Sequence, residues 1–167
     1  NIVGLVNTRP KVFTLLSGED TVHAMCRQLF DYGLNDVTVT VGQDFGYPTE
    51  RIFSGTPSEC LDNSFGDLCV ALIVNGNPDT RNPVGIPDEE FTRGDAPMTK
   101  SEVRALSVAK LKLSPDSFGY DVGAVTGPVS VEMALTAYDG KAYALEREDV
   151  AADLIEINKR MFKASNI

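Results

Sequence analysis

FGYDVGAVTGPVSVE (residues 118–132) is the stretch whose reading decides the fold. Phe118–Val122 reads as a strand with a carboxylate, Asp121, at its end. Gly123–Gly127 is a loop, and Pro128 opens a helix. Proline suits a first helical turn because its missing N–H would have no intrahelical partner there. Val129, Met133, Ala134 and Ala137 then fall at helical spacing. After the Asp139-Gly140 turn, Ala142–Leu145 forms a second strand, closed by Glu146 25 residues beyond Asp121. This α/β layout suits a nucleoside ligand. Glycines let backbone approach it, helix-start N–H groups face it, and an acid after the second strand takes ribose hydroxyls. Such an acid fits an uncharged ribose better than a 2′-phosphate. The loop spells neither a full GxGxxG nor a P-loop, so a plain strand–turn–helix stays open beside the nucleoside reading.

Helices flank this unit. Thr99-Lys-Ser-Glu102 has the capping-box pattern, in which the Thr hydroxyl accepts from the Glu102 amide. Val103, Leu106, Ala109 and Leu113 are the expected inward face of the helix that follows, and Ser114-Pro115 its stop. A last helix over about 149–163 places Val150, Leu154, Ile157 and Met161 on one face. Upstream, residues 77–98 carry Pro78, Pro83, Pro87 and Pro97 and read as a linker or ordered loop. Before them lies another α/β segment, 1–76. Lys11–Leu16 reads as a short buried strand, and Val22, Met25, Cys26, Leu29 and Phe30 as a helix face. Gly33 stands at C′, where only glycine takes a left-handed backbone without steric cost. Val37–Val41 and Arg51–Phe53 are further strands, Pro57–Leu61 a helical turn, and Leu68–Val74 a central strand covered on both faces.

Composition narrows the function classes. The 167 residues are 43% hydrophobic and 23% charged, which is ordinary for a folded chain. Acidic residues exceed basic ones, 24 to 15, for a net charge of −9. That disfavours an electrostatic nucleic-acid binder. No apolar run approaches the ~20 residues of a membrane span, and no basic-then-apolar leader opens the chain. A cytoplasmic location is the expectation. Cys26, Cys60 and Cys69 form no CxxC pair and read as buried thiols, not a disulfide or zinc framework. His23 is the single histidine and reads as structural. No metal site is expected, and no residue is singled out as catalytic. Asp88-Glu89-Glu90 is either a solvated acidic loop or a carboxylate cluster for metal or acid–base work. Lys100 and Arg104 either sit on the surface or pair with substrate carboxylates. Asn158, polar on an apolar helix, is expected to cap or to hydrogen-bond at the surface.

Longer words carry a resemblance. GIPDEEF (85–91), MTKSEVRAL (98–106), DVGAVTGPVSVEMA (121–134) and YALEREDVAADLIEIN (143–158) resemble the start of the decarboxylating methyltransferase unit of cobalamin biosynthesis. LFDYGLNDVTVTVGQDFGYPTERIFSGTPSEC (29–60) resembles the second half of a tetrapyrrole methylase domain. The two occur fused, in that order, in the precorrin-6Y methylase family. The resemblance implies an α/β chain in three parts. Residues 1–76 are the second half of a tetrapyrrole methylase-like unit, 77–98 a linker, and 99–167 the N-terminal part of a Rossmann-like methyltransferase. It implies S-adenosylmethionine (SAM) as methyl donor and a corrinoid (precorrin) substrate. The first unit of that family methylates carbon 5; the second methylates carbon 15 and decarboxylates the ring C acetate. Carried over by position, Thr99, Gly123, Ala124, Val125, Thr126 and Gly127 would contact SAM, Glu146 would hold its ribose, and Asp121 would brace the loop and the methionine end.

Three departures from the family follow. Val125 stands where the family has glycine, and a β-branched residue is poorly suited to positive φ and crowds the cofactor. Both units resemble only part of their family's fold, so these residues by themselves are expected to be inactive. A two-stranded remnant of a parallel sheet exposes edges and apolar faces, for which a homo-oligomer is one remedy. The rival readings are a different SAM-dependent methyltransferase sharing the loop, and a remnant with a scaffold or oligomer-contact role.

Overall fold

Alternating side chains in Lys11–Ser17 (β1), Thr38–Gln43 (β2), Arg51–Gly55 (β3) and Leu68–Val74 (β4) build one four-stranded sheet. Its order is β1-β4-β2-β3 and every pairing is antiparallel. The computed structural model describes residues 1–167, and this sheet belongs to the first of two compact units, Ile2–Thr80. Val39, Val41, Cys69, Ala71 and Ile73 point to one face of the sheet, where they pack on Val3 and Val6 of Ile2–Thr8 (α1) and on Val22, Met25, Cys26 and Leu29 of Thr21–Asp31 (α2). Cys60 of Pro57–Leu61 (α3) completes that core. Helix α1 carries no period long enough to announce it in sequence. Asn75 at the end of β4 ties it down, donating from Nδ2 to the Val6 carbonyl at 2.8 Å. Gly33 follows the α2 C-cap with φ +71°, as its position requires. A capping box does form, at Thr56 and Glu59 of α3. The three cysteines are buried free thiols.

The opposite face of this sheet corrects two expectations. β4 is central, but it is covered on one side only, and Leu68 is 70% exposed. β1 is an edge strand, with Phe13 and Leu15 exposed on the same bare face. The reason is topological. An antiparallel sheet connected by hairpins and short helices need be covered on one face only, whereas parallel crossovers would place helices on both. Phe30, expected in the α2 face, is likewise 46% exposed.

The second unit, Arg81–Ile167 with Asn1, is built around Pro128–Thr136 (α5). Phe118–Val122 (β5) and Lys141–Leu145 (β6) pair in parallel, Tyr120 opposite Tyr143 and Asp121 opposite Ala144. α5 joins them and is enclosed on all sides: Ser130, Val131, Glu132, Met133 and Ala134 are all buried. Around it lie Ser101–Leu111 (α4), Asp149–Met161 (α6) and the ordered strap of residues 84–92. Ile86 and Phe91 of the strap pack on Val131 and Phe162. The far face of β5 and β6 is bare in its own unit, with Tyr120 stacked on Tyr143 at 4.9 Å between centroids.

Both flanking helices are rotated from the expected orientation, although Leu154 of α6 and Leu113 just beyond α4 are half-buried as expected. In α4, Arg104 and Val108 are buried while Val103 and Leu106 are exposed. In α6, Ala151, Ile155 and Asn158 are buried while Val150, Ile157 and Met161 are exposed. Apolar periodicity alone puts the greasier stripe inward. Here specific polar partners on α5 and the strap pull Arg104 and Asn158 in instead. The Thr99–Glu102 box does not form: the α4 N-cap is Lys100, with no side-chain cap. The helix ends at Leu111, with Lys112 left-handed at φ +52°, before Pro115 is reached. No helix is long and apolar enough to cross a membrane.

Candidate functional site

The loop 123–127 is hung from the end of β6. The amides of Gly123 and Ala124 both donate to the Leu145 carbonyl, at 2.9 and 3.1 Å. The Val125 amide donates to Glu146 Oε2 at 2.9 Å. Glu146 Oε1 accepts from the amides of Arg147, at 2.8 Å, and Glu148, at 3.0 Å. These N–H groups, Glu148's foremost and then those of Val125 and Arg147, hold the Glu146 carboxyl below its ordinary range. It is therefore an anion at neutral pH, with one of a carboxylate's roughly four acceptor positions unclaimed.

The loop itself is bent sharply. Gly123, Val125 and Gly127 all have positive φ, at +79°, +52° and +80°. Gly127 needs its missing side chain twice over, since a Cβ there would also lie 3.2 Å from Ile155 Cγ1. Above Gly123 the space is open, with no atom within 4 Å of where a Cβ would stand. Val125 adopts the left-handed conformation that disfavours β-branched residues, so the expected strain is present. Asp121 lies one residue before the end of β5, and its Oδ2 accepts from Ser130 Oγ at 2.6 Å. Beside Glu146 a cavity of about 370 Å³ runs between β6 and α6, lined by Tyr143, Ala144, Ala152, Ile155 and Glu156 among others.

Gly123, Ala124 and Val125 are thus tied to the end of β6 and to Glu146, whereas Thr126 and Gly127 are buried and Asp121 is held by Ser130; of these residues Glu146 alone lines the cavity. Thr99 does not join them through any hydrogen bond to the loop. Its carbonyl accepts from Arg104 Nη1 at 2.6 Å, and the link to α5 runs through that guanidinium. Arg104 is fully buried. It donates from Nε to Glu132 Oε1 at 2.7 Å, from Nη1 to Asp88 Oδ1 at 3.1 Å, and from Nη2 to the Ile86 carbonyl. Its guanidinium also lies over the Phe91 ring at 4.8 Å. Neither the surface role nor the substrate-binding role expected of Arg104 holds. Nor is Asp88 simply solvated: it pairs with both Arg104 and Lys100. Burial pushes its carboxyl up, but the hydrogen bonds from Arg104 and Lys100 outweigh this and the net direction is down. Asn158 is not a surface residue either; it is fully buried against the loop and the strap. The usable signal for this network was Glu132, a lone carboxylate inside VSVEMALT: such a group needs a buried partner.

The loop, Glu146 and the end of the strap lie in the stretch that known proteins share. Residues 89–167 match the family model of the precorrin methyltransferase domain. The chain is 45% identical over 80 residues to a probable cobalt-precorrin-6B C(15)-methyltransferase (decarboxylating) of Pyrobaculum aerophilum, covering 47% of this chain and 41% of that protein. It is 46% identical over 81 residues to the cobalt-precorrin-6B C(15)-methyltransferase (decarboxylating) of Salmonella typhimurium, covering 48% and 42%. A solved precorrin-6Y C5,15-methyltransferase from Geobacter metallireducens GS-15 is similar over 50% of this chain and 45% of its own, with 37% identity and a TM-score of 0.48. The chain spans about two-fifths of the length of the curated relatives it matches. From Glu89 to its last residue, then, this sequence is similar to precorrin methyltransferases, and that segment contains the loop and its acid.

Proposed function

We propose that the second unit seats the adenosyl sulfonium of SAM for methyl transfer to a corrinoid macrocycle. The observation that carries this is the Glu146 carboxylate, 2.9 Å from the Val125 amide at the mouth of the glycine loop. The residues present fit the group. Gly123 leaves open space for close approach, Glu146 is an ionised acceptor with a position to spare, and the adjoining cavity has room for a purine. In this reading Glu146 takes a ribose hydroxyl and Asp121, oriented by Ser130, supports the methionine end. The loop from Gly123 to Gly127 supplies backbone contact, and Thr99 is included on the resemblance alone. SAM supplies an electrophilic methyl group on sulfur, and the chain's contribution is to hold donor and acceptor carbon in line. No side chain is assigned as catalytic.

The similarity to C(15)-methyltransferases supports methylation at carbon 15 with loss of the ring C carboxyl as the reaction of the whole protein. Carbon 5 methylation, and residues 1–76 as part of a tetrapyrrole methylase-like unit, belong to the same proposal, supported by the word at 29–60. Isothermal titration and thermal melting of this chain with SAM test the reading. SAM is expected to bind, more weakly than micromolar because of Val125, and to raise the melting temperature. An E146A variant is expected to lose both effects. No binding by the unaltered chain, or equal binding by E146A, overturns the reading.

A further inference from the structure

Asn158 is the one side chain that grips both the strap and the glycine loop. Its Oδ1 accepts from the Thr92 amide at 2.9 Å. Its Nδ2 donates to the Thr92 carbonyl and to the Thr126 carbonyl, both at 2.8 Å. A carboxamide has one acceptor group and two donor hydrogens, and here each is spent on backbone. The residue is fully buried in α6, and Ile155, one turn earlier, lies under Gly127. Thr126 is the neighbour of Val125, whose left-handed backbone costs free energy and persists only if its surroundings over-determine it. Two attachments flank Val125: Glu146 takes its own amide, and Asn158 takes the next carbonyl.

We propose that Asn158 is a positioning residue that holds the glycine loop in its ligand-receiving bend, by anchoring the Thr126 carbonyl to the strap at Thr92. The proposal rests on the SAM reading above for its ligand, but not for its geometry. A loop that keeps the competent bend only about a tenth of the time binds about tenfold more weakly. The clamp also makes the strap part of the site without touching the ligand.

A matched control exists in the same unit. Asn166 is also buried, and its Nδ2 donates to the carbonyls of Ala134, Ala137 and Gly140 at the other end of α5. N158A and N166A each delete a buried carboxamide and leave backbone groups unpaired, so a purely structural role predicts similar behaviour. The positioning role predicts a split. By amide exchange, N158A is expected to lose about tenfold protection at Val125 and Gly127, while N166A keeps both within about twofold. By titration with SAM, N158A is expected to weaken binding about tenfold and N166A to change it by less than about twofold. In a V125G background, which removes the strain, N158A is expected to weaken binding by less than about threefold. N158S, which retains one possible donor, serves if N158A does not fold.

Equal effects of N158A and N166A at Val125, or no relief by V125G, overturn the proposal. If the unaltered chain shows no heat with SAM, the functional reading falls, and the amide-exchange split then decides the clamp by itself.

Discussion

Replacing Arg104 with Met is the sharpest test of how the second unit is held together. The side chain is fully buried, so its charge is compensated only by the protein: Glu132 at 2.7 Å and Asp88 at 3.1 Å, with the carbonyls of Ile86 and Thr99. Met keeps much of the apolar stem and removes the charge. Glu132, itself fully buried, is then left with the Ile86 amide as its remaining partner. Breaking one side of a buried ion pair costs about 3–5 kcal/mol. A unit of roughly ninety residues has on the order of 4–13 kcal/mol to lose. R104M should therefore remove a large part of its stability, and E132L, which leaves Arg104 its Asp88 partner at 3.1 Å, should cost less. The double variant R104M/E132L strands no charge, because Asp88 keeps Lys100 at 3.2 Å. It still leaves the Ile86 amide and the carbonyls of Ile86 and Thr99 without these partners, at about 1 kcal/mol each. Its cost should be about 2–4 kcal/mol, well short of the sum of the two single variants. Urea denaturation followed by tyrosine fluorescence and circular dichroism measures all three, the chain having no tryptophan. A loss below about 1 kcal/mol for R104M, or additivity in the double variant, refutes the argument that a desolvated charge pair organises this unit.

For V125G, relief of about 1–3 kcal/mol of strain is offset by about 0.4–1 kcal/mol of extra chain entropy and roughly 1 kcal/mol of lost apolar burial. Stability should therefore move by less than about 2 kcal/mol in either direction while SAM affinity rises; unchanged or weaker binding by titration counts against crowding by Val125. G127A should destabilise by about 2 kcal/mol, since alanine meets both the positive φ and Ile155, and should lower the melting temperature by roughly 8–16 °C for a unit this size. For Glu146 the sign follows from its depressed folded-state ionisation. Its contribution is complete above the ordinary value of 4.5 and fades only as pH falls through the lower folded one. Protection of the Val125 amide should be flat from neutrality to mildly acidic pH and drop below that, and E146Q should abolish the drop; a transition near pH 6–7 would contradict the assignment.

How much of this was legible in advance depended on whether the signal was local. The β5–loop–α5–β6 succession, Gly33 as a helix stop and the position of Glu146 follow from short-range sterics and hydrogen-bond geometry, and each stands where it was expected. The capping box at residues 99–102 matched an equally local pattern and failed, because Arg104 claims the Thr99 carbonyl and the helix begins one residue later. The orientations of α4 and α6 were not legible. Hydrophobic periodicity ranks faces by apolar content, but burial of Arg104 and Asn158 is decided by partners far along the chain, Glu132 and Thr92.

The sequence alone determined the order of elements, the bend with its glycines, and an acid 25 residues beyond the first strand's carboxylate. Only the tertiary structure decided which helix faces turn inward, that Val125 bears a left-handed backbone, and that the strap is wired to the loop through Asn158. The physical reason is one of range. Backbone conformation at a turn is governed by the few residues that form it, whereas a buried charge or amide is stable only where distant groups converge to satisfy it.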